Sequence, residues 1–124
     1  MNQILKDVEG ELLGGLRSTD LFNKASGMSV AHIRGNPKAC ALFNFLSERI
    51  RDTTRKSAMG LPDNFTHFML QFDSGELLFM IDVNEKYRWG MLIDAKKASL
   101  GVAVSVVIPD ALPKLQAALI AKRR

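Results

Sequence analysis

Apolar and polar positions alternate most clearly between residues 65 and 94, where three consecutive strands are predicted. Phe68, Leu70 and Phe72 recur at period two, Asp73-Ser74-Gly75-Glu76 has the residues of a tight turn, and 77–83 is apolar except for Asp82. A second turn falls at Asn84-Glu85-Lys86. Trp89, Met91 and Ile93 then alternate with Gly90, Leu92 and Asp94, so the third strand carries apolar side chains on both faces until its polar end. This meander is the predicted centre of the fold, and it carries no evident chemistry.

Around it the pattern changes period. Ile4, Leu5 and Val8 mark a short helix ending at Gly10, and the run from Glu11 through Leu16 reads as a short strand weakened by Gly14 and Gly15. Residues 18–27 are small and polar, the composition of a long hairpin connection, and Met28 to Ile33 resumes as a strand. Gly35-Asn36-Pro37 is the clearest helix start in the chain, with Asn36 as cap and Pro37 at the first helical position, where a missing N–H costs nothing. The helix is predicted over 37–57, with Ala39, Leu42, Phe43, Leu46 and Ile50 on one face. Cys40 and Phe45 widen its apolar surface beyond one stripe, which fits either deeper burial or a self-association face. Residues 57–64 read as a loop. For 99–108 the valines alternate as in a strand, yet Leu100, Ala103, Val104, Val107 and Ile108 also fit a helical face capped by Ser99. Pro109 is expected to break or kink the chain before a last amphipathic helix carrying Ala111, Leu112, Leu115 and Leu119.

Composition narrows the function. The 124 residues have the length of one domain, 1–124, and 47% hydrophobic with 24% charged residues is a globular balance. The net charge of +4 resides mostly in Lys122, Arg123 and Arg124; without them 14 basic residues face 13 acidic ones. No cluster of cations interleaved with aromatics presents a phosphate-binding face, so no nucleic-acid partner is expected. The single Cys40 excludes an internal disulfide and points to a cytoplasmic setting. No signal-peptide pattern and no run of roughly 18 apolar residues is evident, so no membrane partner is expected. The acceptor pattern Asn64-Phe65-Thr66 has no meaning without secretion.

Candidate chemistry is sparse. His32 and His67 stand apart, with no cysteine or carboxylate at ligand spacing, so no metal or other cofactor is expected. Nucleotide-binding and metalloprotease motifs are missing, Gly14-Gly15 does not open a phosphate loop, and Asp73, Asp82 and Asp94 sit at strand ends. Arg51 and Arg55 lie one turn apart, the spacing of a solvated face. A binding or assembly module is expected, not an enzyme.

The order of elements resembles the roadblock/LC7 family, small α/β domains related to dynein light chains and to regulators of Ras-like GTPases. The likeness rests on Ala25-Ser26-Gly27-Met28-Ser29-Val30-Ala31, the helix from Pro37 with Ala41-Leu42-Phe43, Gly75-Glu76-Leu77-Leu78, and Trp89-Gly90-Met91-Leu92-Ile93-Asp94 followed by Ser99-Leu100-Gly101. It implies an α+β fold in which a central five-stranded antiparallel sheet carries the long helix on one face and the terminal helices on the other. It also implies that 99–108 is helical, and that two copies pair through the long helix and the strand at 65–72. Phe43, Phe45, Leu46, Arg49, Ile50, Phe68 and Leu70 are the interface residues this implies. The resemblance further implies a homodimeric adaptor that binds and modulates or localises a small Ras-like GTPase, with Arg49, Arg51 and Arg55 as arginines near the partner by position alone. Two other readings stand beside it: a profilin- or PAS-like ligand sensor with a pocket at Trp89, Met91 and the glycines, and a structural subunit of a larger scaffold without a GTPase.

Overall fold

The computed structural model describes residues 1–62 and 65–122. In chain order these form α1 (Asn2–Glu11), β1 (Leu16–Asn23), β2 (Ser29–Ile33), α2 (Pro37–Lys56), β3 (His67–Gln71), β4 (Glu76–Asp82), β5 (Tyr87–Asp94), α3 (Leu100–Val102), a π-helical turn (Ala103–Val107) and α4 (Ile108–Lys122). The strands make one antiparallel sheet in the order β2-β1-β5-β4-β3. Asn64 of the acceptor pattern and Arg123 and Arg124 of the basic end lie outside the described residues.

Each face of the sheet has its own core, because successive side chains on a strand point to opposite sides. On one face Leu77, Phe79, Ile81, Trp89, Met91 and Ile93 pack against Leu5 and Val8 of α1 and against Ala111, Leu115 and Leu119 of α4. On the other, Phe22, Leu78 and Met80 pack against Cys40 and Phe43 of α2. The long helix and the terminal helices therefore occupy opposite faces, as the resemblance implies. α2 sits low on the sheet because Gly90 lacks a side chain. A Cβ there would lie 2.9 Å from Phe43 Cδ2.

Four expectations are corrected. Residues 11–16 are not a strand: α1 runs through Glu11, and Leu13 and Gly14 take positive φ in the turn that follows. β1 instead occupies Leu16–Asn23, within the stretch read as a polar connection. Its buried Thr19 is satisfied internally, Oγ1 donating to the Gly90 carbonyl (2.9 Å) and accepting from Trp89 Nε1 (2.7 Å). On α2 the buried line is Cys40, Phe43 and Ser47, while Leu42 is 53% exposed. Pro109 does not end the C-terminal helix. Ahead of it the ladder widens, Ile108 donating its N–H to the Ala103 carbonyl five residues back. A proline removes the usual donor and crowds the carbonyl four residues before it, and a π-helical turn relieves both.

By length and composition the helix Leu100–Ile120 could cross a membrane, contrary to the sequence reading. Here its line Ala103, Val107, Ala111, Leu115 and Leu119 serves the core, and Asp110 pairs with Lys114 midway at 3.3 Å.

Candidate functional site

α2 is held by its ends and its middle. Asn36 Oδ1 accepts the Lys38 N–H at 2.9 Å and caps the first turn. Midway, Asn44 Nδ2 donates to the Lys24 carbonyl (2.8 Å), and Asn44 Oδ1 accepts from Arg88 Nη1 (2.8 Å). Arg88 is only 2% exposed and reaches Glu48 Oε1 at 3.1 Å. These contacts tie the helix to the β1–β2 turn and to β5.

Of the expected interface residues on this helix, Phe45, Leu46, Arg49 and Ile50 fall on its exposed or half-buried sides, and Phe43 does not. Phe43 is buried in the core beneath α2. Phe45 is 61% exposed, with the Arg49 guanidinium 5.9 Å from its ring centroid. Leu46, Arg49 and Ile50 line a shallow depression with Thr53 and Thr54. On the sheet, Phe68 packs partly against the α2-side core, and period two places Leu70 and Phe72 on the same side. They are 43% and 45% exposed, since α2 lies over the middle of the sheet and leaves its β3 edge uncovered. Leu42, Phe45, Leu70 and Phe72 thus remain open to solvent on one side of the molecule.

A deeper feature lies at the other end of α2. A groove of about 780 Å³ opens between the β1–β2 turn and the N-terminal half of the helix. The turn is built on Asn23 Oδ1, which accepts the N–H groups of Ala25 (2.8 Å) and Ser26 (3.1 Å). Met28, Pro37, Ala41 and Phe45 supply apolar wall, and Asp20 and His32 lie in its lining. Asp20 is 2% exposed, and its Oδ1 has no hydrogen-bond partner among the described residues. Burial raises its pKa, an effect partly offset by the neighbouring Cys40 thiol, Ser29 hydroxyl, Asn36 amide and His32. Cys40 is pushed up to about 12 by burial and by the Asp20 charge, so its thiol is unreactive near neutral pH. Gly35 closes over Asp20. A side chain there would collide with the Asp20 carboxylate and His32 Cβ.

Sequence reading misses this groove, because it makes Asp20 a turn former and not a carboxylate inside a strand. The hint available is Thr19, Leu21 and Phe22 beside it. Trp89 and Met91, expected to line a ligand pocket, are instead fully buried in the core. Among the described residues no group of three or more His, Cys, Asp or Glu could hold a metal ion.

No protein-family model and no curated protein matches the sequence. Solved structures do. MglB of Myxococcus xanthus superposes with a TM-score of 0.80 at 14% identity, over 97% of this chain and 87% of that one. The gliding protein MglB of Thermus thermophilus gives 0.75 at 16% identity, over 93% of this chain and 84% of that one. A Roadblock/LC7 domain from Streptomyces avermitilis gives 0.72 at 13% identity, over 97% and 98%. What is common at such identities is the fold, and the chain has the roadblock/LC7 fold.

Proposed function

We propose that this chain is a cytoplasmic, non-enzymatic adaptor that pairs with a second copy of itself and binds a small Ras-like GTPase, modulating or localising it. The observation that carries the reading is the uncovered apolar side made by Leu42 and Phe45 of α2 and Leu70 and Phe72 at the β3 edge. Large apolar side chains grouped on one side of a small domain mark an interaction surface, and an edge strand beside them offers unpaired main-chain groups to a neighbour. The fold supports the GTPase partner through the family resemblance, and the single buried cysteine supports the reducing compartment. Since the Arg49 guanidinium lies over the Phe45 ring of its own helix, the reading requires no arginine finger from this chain.

Affinity capture from native extract, with a GTP analogue or GDP added, tests the partner. Retention of a small GTPase in one nucleotide state supports the regulator. Retention of other proteins alone would leave a scaffold subunit. Self-association is tested separately by Phe45→Asp. A charge buried in an apolar interface costs several kcal/mol, so sedimentation should show the variant as monomer at concentrations where the native chain is dimeric. An unchanged mass would remove α2 from the interface.

A further inference from the structure

Apart from Phe45, the groove beside the N-terminal half of α2 is not used by the reading above, and its chemistry is lopsided. Its walls are largely apolar, its volume of about 780 Å³ falls in the range of small-molecule sites, and among the described residues no lysine or arginine lines it. Both charged lining residues are acidic. Glu48 already has a cation, Arg88 Nη2 at 3.1 Å. Asp20 has no lysine or arginine: its Oδ1 is buried without a hydrogen-bond partner among the described residues, in a side chain 2% exposed, and only the Cys40 thiol, the Ser29 hydroxyl, the Asn36 amide and His32 stand near the carboxylate. A buried polar atom without a partner is rare enough to require an explanation, and a carboxylate oxygen in a groove lacking basic side chains is explained by a cationic donor arriving from outside.

The geometry points to a binding site for an aliphatic ammonium or guanidinium group, its charge toward the Asp20 carboxylate and its stem along Met28, Pro37 and Ala41. The cation is carried either by a free amine or by a lysine or arginine side chain of a partner protein; both present the same chemistry. His32 is compatible with it. Its Nδ1 accepts the Gly35 N–H at 3.3 Å, so the ring is held by the wall's own backbone. The walls are fixed before binding, since Asn44 pins the β1–β2 turn to α2 and the Asn23 side chain pins the turn itself. This proposal stands independently of any GTPase partner.

The test is a titration of the isotope-labelled full chain, followed by amide chemical shifts, with agmatine as a free cation and N-acetyl-arginine methylamide as a chain-borne one. N-acetyl-norleucine methylamide is the neutral control. Saturable shifts confined to residues 25–29, 35–37 and 41–45 are expected with at least one cation and not with the control. Agmatine alone would mean a free amine, the arginine derivative a partner side chain. Asp20→Asn should weaken binding at least about tenfold, the value of a charge-assisted hydrogen bond. Ala41→Phe, which fills the groove from an exposed helix position and leaves Asp20 intact, should abolish it. Absence of saturable shifts, shifts matched by the norleucine derivative, or binding that survives both substitutions would overturn the assignment.

Discussion

Replacing Gly90 with alanine adds one methyl group at the point where α2 rests on the sheet. That methyl would lie 2.9 and 3.3 Å from two carbons of the Phe43 ring and 3.1 Å from the Met80 terminal methyl. Comfortable carbon contacts begin near 3.5 Å, so the Phe43 ring must retreat by about 0.6 Å. Met80 can yield, because its last carbon ends a flexible chain. Phe43 cannot move alone, since it is wedged between the sheet and its own helix beside Phe22 and Cys40, and α2 in turn is tied down through Asn44 and Arg88. Overpacking of this kind costs about 1–3 kcal/mol, and the lower unfolded-state entropy of alanine returns roughly 0.5–1 kcal/mol. The net expectation is a loss of about 1–2 kcal/mol, or very roughly 3–10 °C in Tm for a domain of this size. Urea unfolding followed by the fluorescence of Trp89 measures it. In a double-mutant cycle with Phe43→Leu, the two changes should cost about 0.5 kcal/mol or more less together than their sum. A neutral Gly90→Ala, or strict additivity with Phe43→Leu, would refute the argument that this glycine sets the height of α2.

Three further outcomes follow from buried groups. Burial raises the pKa of Asp20 above its ordinary 3.8, so its protonation favours the fold at low pH and that contribution is lost as pH rises through the folded-state value. Asp20→Asn, neutral throughout, should therefore gain on the native chain between acid and neutral pH, by up to about 1–3 kcal/mol; urea midpoints at both ends of the range would show a pH-independent difference if the carboxylate is not penalised. Cys40, with its thiol pushed up to about 12, should resist a disulfide reagent in the folded chain at pH 8 and react at once in denaturant; rapid reaction of the native protein would contradict its burial. Arg88→Ala should cost about 2–4 kcal/mol in thermal or urea unfolding, for a buried stem and an Asn44 oxygen left without its donor. Because Glu48 is 45% exposed and can turn to water, a larger loss would mean that the ion pair matters more than its exposure indicates.

Elements whose stability is local were legible from the chain alone. Asn36-Pro37 sets the start of α2 through a cap and a fixed φ, and Asp73-Ser74-Gly75-Glu76 separates β3 from β4 through the φ of +92° at Gly75. The apolar runs 77–81 and 89–93 were legible too, since a strand buried on both faces reads as a near-continuous apolar run. β1 was not legible: its Ser18, Thr19 and Asp20 resemble a turn until Trp89 and Gly90, some seventy residues away, supply the hydrogen bonds that let Thr19 be buried. The state of 100–108 was undecidable by periodicity and became helical through packing of Ala103 and Val107 on the core. Of the expected interface residues, all lie on or beside α2 or on β3. The helical period sets Phe45 about 200° round the helix from Phe43, so the two were separable by face; that the Phe43 face is the one laid on the sheet, against Phe22, Met80 and Gly90, was decided by packing. The groove at Asp20 was decided by tertiary structure alone, because a carboxylate acquires its chemistry from what surrounds it, and here those surroundings come from β1, β2 and α2 at once.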